Sequence, residues 1–226
     1  MTETVAQEIP SPMEDNTVYP FVLKFLAKIF SYLFHPLFIP VYFTFFLVYM
    51  HPSAFIGFSS TEKIKTVVIV ALNVSFFPLI CVLLLKAVGF VDSLYLHTRK
   101  DRIIPYIASG VFFFWAYTVF KEQPQYPSVL SAFIFGIFLA SSAALIANIY
   151  FKISMHAIGM GGWLGVFLLL FYNDAMMMGG PLVTVLLLTG IVMTSRLILK
   201  AHHAFDIYTG FFLGLICQWT AYYFVG

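Results

Sequence analysis

Long apolar runs separated by isolated charges dominate the chain. Residues 29–61, 66–85, 103–120, 123–151, 153–173, 175–195 and 207–226 contain no Asp, Glu, Lys or Arg. A helix needs about 20 apolar residues to cross the hydrocarbon core of a bilayer. It also satisfies its own backbone hydrogen bonds there. The strands of an outer-membrane barrel alternate polar and apolar over about ten residues, and no run here alternates. The pattern therefore predicts an all-α fold. It is a polytopic transmembrane bundle of six to seven spanning helices with an N-terminal interfacial helix.

The first run needs more than one element. It is too long for one untilted span and contains His35-Pro36, Pro40 and His51-Pro52. Just upstream, Lys24 and Lys28 stand four apart among Phe21, Val22, Phe25, Leu26 and Ile29. That spacing is amphipathic and suits a helix lying in the membrane interface. The reading adopted is an interfacial helix over 18–34 followed by a span over 36–51. A pair of tilted or re-entrant segments is the alternative. Residues 1–17 hold four of the ten acids together with Pro10, Pro12 and Asn16, and read as a flexible tail. Residues 18–226 read as a single transmembrane domain.

Composition narrows the function. Charged residues make up 10% of the 226 and hydrophobic residues 61%, against about 25% charged in soluble domains. An ordinary cytosolic enzyme, a disordered chain and a nucleic-acid binder are excluded. The two cysteines, Cys81 and Cys217, lie in apolar runs and give neither a disulfide framework nor metal-ligand spacing.

The remaining charges are unevenly placed. The connections near 89–102, 151–156 and 195–206 hold Asp92, Arg99, Lys100, Asp101, Arg102, Lys152, Arg196, Lys200 and Asp206, with His97, His156, His202 and His203. They follow the second, fourth and sixth expected spans, so alternation of helix direction puts all three on one membrane face. Ser195-Arg196, five residues, His202, three residues, Asp206 carries the sharpest pattern. On a helix His202 and Asp206 share a face. A carboxylate there can fix one imidazole nitrogen and leave the other nucleophilic. Arg196 offers a rigid donor fork to a tetrahedral anion. Read alone, the same residues also suit a positive helix cap or a headgroup anchor.

The motif resembles the third signature of the type-2 phosphatidic acid phosphatase superfamily, which is Ser-Arg, five residues, His, three residues, Asp. Ile153-Ser154-Met155-His156 resembles the second, Pro-Ser-Gly-His, keeping its serine and histidine. Arg99-Lys100-Asp101-Arg102-Ile103-Ile104-Pro105 resembles the first, a lysine, six residues, then Arg-Pro. The family's lysine position is Tyr95 here. The resemblance covers about residues 89–214.

The resemblance implies a membrane-embedded, metal-independent phosphatase without a cofactor. Its substrate would be a phosphate or pyrophosphate monoester on a lipid: polyprenyl pyrophosphate, phosphatidylglycerophosphate, phosphatidate or lipid A type. By the same resemblance His202 is the nucleophile and Asp206 holds it. His156 is the general acid and then the base, and Arg196, Arg102 and Ser154 bind the phosphoryl oxygens. Arg99 or Lys100 would replace the missing lysine. His203 also lies within reach of Asp206 but does not fit the signature. His97 is a further pocket candidate, whereas His35 and His51, beside prolines, read as span ends. The partners expected are the lipid phosphate and membrane lipids, with no nucleic acid. The expected location is the bacterial inner membrane, multi-pass. The positive-inside rule would put the charged face in the cytoplasm, but cations that bind phosphate confound that rule, and the resemblance favours the outer, periplasmic face. The competing class is a non-enzymatic membrane protein, either an anion transporter or a lipid-phosphate-binding pseudo-enzyme.

Overall fold

The computed structural model describes residues 18–91 and 98–225. Every regular element among them is helical: α1 (Phe21–Leu33), α2 (Ile39–Tyr49), α3 (Ser60–Val70), a π-helical turn (Ala71–Phe76), α4 (Phe77–Ala87), α5 (Arg99–Lys121), α6 (Ser128–Tyr150), α7 (Met155–Asn173), α8 (Ala175–Ile198) and α9 (Ala204–Val225). α3, the π turn and α4 join into one continuous helix, Ser60–Ala87. That helix and α5, α6, α7 and α8 are each long and apolar enough to cross a membrane, and α2 is a shorter apolar helix. The chain is an all-helical, multi-pass membrane protein. The tail expected over 1–17, and Tyr95 and His97, lie outside the described residues.

Carboxylates cap the starts of three helices. Ser59 and Glu62 form a reciprocal capping box at α3, and Thr98 and Asp101 do so at α5. Asp174 accepts the Met177 N–H at the start of α8. These side chains satisfy orphan N–H groups in the first turn and favour its positive dipole end. Three of the acids between the apolar runs are thus accounted for by helix starts.

The amino-terminal segment follows the expected order with tighter limits. α1 is shorter than 18–34 and α2 shorter than 36–51. Residues preceding proline avoid the helical region, so His35-Pro36 keeps α1 and α2 apart and His51-Pro52 stops α2. The eleven residues of α2 rise only about 16 Å, and irregular chain on each side carries the segment further. At one end His35 stands 5.3 Å, ring to ring, from His156. At the other, Phe55 and Phe58 pack on Tyr126 in the α5–α6 connection.

α7 and α9 form the closest pair. Gly161 lies against the Phe211 carbonyl, and Gly214 against the Ile158 carbonyl and the Gly162 N–H. Neither site has room for a Cβ. Small residues four apart let two helix backbones touch, which is how helices associate where lipid removes the hydrophobic drive. Gly210 continues the row, 2.9 Å from the Ser154 carbonyl measured at the position of a Cβ. The row ends at the charged connections, so this contact sets their separation.

Gly161→Ala and Gly214→Ala should each lower the apparent melting temperature in detergent, at a cost of about 1–3 kcal/mol for overpacking. Gly190→Ala on α8, where the added methyl meets nothing within 4 Å, should leave it unchanged or raise it slightly. Thermal unfolding of the three variants, followed by size-exclusion elution, checks the contrast.

Candidate functional site

A cavity of about 1000 Å³ opens at the charged end of the bundle. Its mouth holds Arg102, Lys152, His156, Arg196 and His202, and its inner wall is mostly apolar, including Phe113, Phe133 and Trp163, with Ser109, Ser141 and Gln218 among them. Lys28, Lys86 and Lys200 also line it. No carboxylate does so among the described residues.

Three of these residues are held by main chain. Arg102, buried in the first turn of α5, donates from Nη1 to the Ile153 carbonyl at 2.9 Å. His202 Nδ1 lies 3.1 Å from the Lys152 carbonyl. His156 Nε2 lies 3.0 Å from the Ser31 carbonyl. A carbonyl only accepts, so these two ring nitrogens carry the protons. His202 Nε2 and His156 Nδ1 are left with free lone pairs. Arg196, in the last turn of α8, donates from Nη1 to Ser31 Oγ at 3.3 Å. Its Nε is buried with no hydrogen-bond partner among the described residues.

The relation of His202 to Asp206 differs from the helical one expected. α8 ends at Ile198, Lys200 turns the chain with φ +49°, and α9 starts at Ala204. His202 therefore sits in the turn, ahead of the helix that carries Asp206. Its Nδ1 is 3.8 Å from Asp206 Oδ2, beyond a hydrogen bond. Asp206 accepts the His203 backbone N–H at 3.2 Å instead. The Lys152 carbonyl fixes the tautomer, and Asp206 acts on the ring through its charge.

Other expected residues fall unevenly around the cavity. Ser154 is fully buried as the N-cap of α7, with Oγ accepting the Ala157 N–H at 3.4 Å, and it does not line the cavity. Its own N–H donates to the Asp206 carbonyl at 3.2 Å, tying the two connections together. Arg99 binds the Ile149 and Tyr150 carbonyls at the end of α6, and Lys100 is exposed. Neither lines the cavity, whereas Lys152 does. His203 is exposed and outside the lining, and His51 lies on the short α2–α3 connection away from it. The residues that sequence reasoning missed are Lys28, Ser31, His35 and Lys152. Only Lys152, two residues before the Ser154-Met155-His156 motif, carried a local signal.

Burial, then Arg196 and Arg102, pushes His202 down to about 4, with Asp206 opposing. Burial and then Arg196 push His35 down to about 4. Burial and then the Arg102 charge lower Lys152. At neutral pH both histidines are uncharged in the folded protein, and the lone pair of His202 Nε2 is available.

Compared with known proteins, the chain matches no family model, no curated protein and no solved structure.

These histidines make stability depend on pH. Above pH 6.5 they are neutral in both the folded and unfolded chain. As pH falls from 6.5 toward 4 the unfolded chain takes up protons first, so the folded state loses relative stability. The melting temperature should fall over that window, and the fall should be shallower in His35→Gln/His202→Gln. Melting curves across pH 4–7 check this.

Proposed function

We propose that the protein is a membrane-embedded phosphatase that hydrolyses a phosphate or pyrophosphate monoester on a lipid through a phosphohistidine. The observation that carries the reading is the meeting of Arg102, His156, Arg196 and His202, from three separate connections of the chain, around one cavity lined by no carboxylate among the described residues. An excess of positive charge in a low-dielectric pocket selects an anion. The unpartnered Arg196 Nε leaves a guanidinium donor for one. The mostly apolar inner wall suits the hydrocarbon next to the headgroup.

In the reaction, His202 Nε2 attacks phosphorus as the bond to the leaving oxygen breaks. That oxygen takes the proton that the bound phosphate monoanion has first passed to His156 Nδ1, the nitrogen not engaged with Ser31. Water then attacks the phosphohistidine, giving its proton back to His156. The P–N bond breaks, and orthophosphate leaves with both histidines restored. Arg102 and Arg196 balance the charge that develops on the phosphoryl oxygens. Lys152 supplies the cation first expected from Arg99 or Lys100. Asp206 stabilises the charge that appears on His202.

Seven passes accompany this reading: the α2 segment, Ser60–Ala87, α5, α6, α7, α8 and α9, with α1 in the interface. α9 is 22 residues long and, though interrupted by Asp206 and Gln218, runs from the cavity mouth to the end where Tyr222 receives the Asn173 amide. The proposed setting is the bacterial inner membrane with the site on its outer face.

Phosphate release by purified protein from a panel of lipid phosphates tests the proposal. His202→Ala should abolish release, whereas His203→Ala should keep much of it. Arg102→Ala should lower turnover by about a hundredfold or more, in the range for loss of a donor to a developing oxyanion. Lys152→Ala should cost more than Arg99→Ala. Release by His202→Ala at the wild-type rate would remove His202 as nucleophile. Phosphate binding without release by the wild type would favour a non-catalytic lipid-phosphate binder.

A further inference from the structure

The amino-terminal helix, which lies outside all three charged connections, contributes a wall to the cavity. Lys28, Ser31 and His35 follow one another at intervals of three and four and all line it. Lys28 and Ser31 share a face of α1, and His35 follows two residues past the end of that helix. Phe21, Val22, Phe25, Leu26, Ile29 and Leu33 are exposed. A polar stripe on an amphipathic helix often does no more than meet the headgroup layer. This stripe does more, because Ser31 touches two site residues: its carbonyl meets His156 Nε2 and its hydroxyl receives Arg196 Nη1.

His35 is the member able to meet a ligand. Its ring lines the cavity and stands edge-on to His156, with centroids 5.3 Å apart. Its Nδ1 accepts the Leu37 backbone N–H at 3.4 Å. An acceptor nitrogen bears no proton, so the neutral ring carries its hydrogen on Nε2. The result is a neutral donor in a pocket that already holds the charge needed to attract an anion. It adds a hydrogen bond without adding repulsion against Arg196.

We infer that His35 is a further substrate-contacting residue, donating its Nε2–H to an oxygen of a tetrahedral phosphate bound beside His156 and Arg196. The inference rests on the phosphatase reading for the identity of that anion. It extends the site to a segment upstream of all the signature residues, so that the phosphate is gripped by the amino-terminal segment as well as by the ends of α5, α7 and α8. Ser31 then has a positioning role. It orients His156 and Arg196 from the last turn of α1.

The test compares His35→Gln, which keeps a side-chain N–H, with His35→Met, of similar volume and without one. Both are made in the full chain in detergent, with folding followed by melting temperature and elution. Binding of inorganic phosphate is measured by calorimetry, and kcat and KM are measured on a lipid phosphate. His35→Met should weaken phosphate binding about tenfold or more, as expected for loss of one hydrogen bond to a charged group. His35→Gln should recover most of that loss. Wild-type phosphate affinity in a folded His35→Met would overturn the inference while leaving the phosphatase reading intact. Equal losses in folded Gln and Met variants would also overturn it, by showing that the ring packs rather than donates. Failure of the wild type to bind phosphate at all would overturn both.

Discussion

The close approach of α7 and α9 is the constraint on which the rest of the site depends. Glycine at 161, 210 and 214 lets backbone meet backbone, in a medium where apolar side chains gain little by leaving lipid for protein. That contact holds the connection before α7 against the start of α9. The Ser154 N–H then reaches the Asp206 carbonyl, and the His202 ring reaches the Lys152 carbonyl. Any side chain in that row would move the two halves of the cavity mouth apart.

A second feature follows from what the site side chains bind. Arg102, His156 and His202 are all held by backbone carbonyls. A carbonyl orients a donor without cancelling its charge. Of the carboxylates described near that end, Asp101 caps α5 and Asp206 accepts the His203 N–H. The cavity therefore keeps its positive charge. In a poorly screened environment, that charge is what an anionic headgroup would neutralise.

Much of the architecture was legible in the sequence. Charge-free runs gave the long apolar helices, because a bilayer imposes both length and apolarity on each. The parity of the charged connections brought Arg102, His156, Arg196 and His202 to one end, because consecutive helices reverse direction. Other features were hidden for physical reasons. The turn before α9 broke the helical relation between His202 and Asp206, which spacing alone cannot reveal. Arg99 faces the end of α6 rather than the cavity, and which face a residue presents in the first turn of α5 depends on packing. Ser154 looked like a ligand but is spent as an N-cap. His35 looked like a span end because its neighbour in space, His156, is more than a hundred residues away in sequence. The glycine row on α7 and α9 went unread, because which helix faces meet is set by packing.

The covalent step is the most direct test of this account. Purified protein is mixed with a lipid phosphate bearing 32P at the terminal phosphorus. The reaction is quenched in alkali, where phosphohistidine survives, and digested to peptides. The account predicts label on the peptide containing His202, lost in His202→Ala and accumulating when His156 is replaced by Gln. Phosphate release from the wild type with no labelled peptide at any time, or label on a peptide without His202, would contradict it.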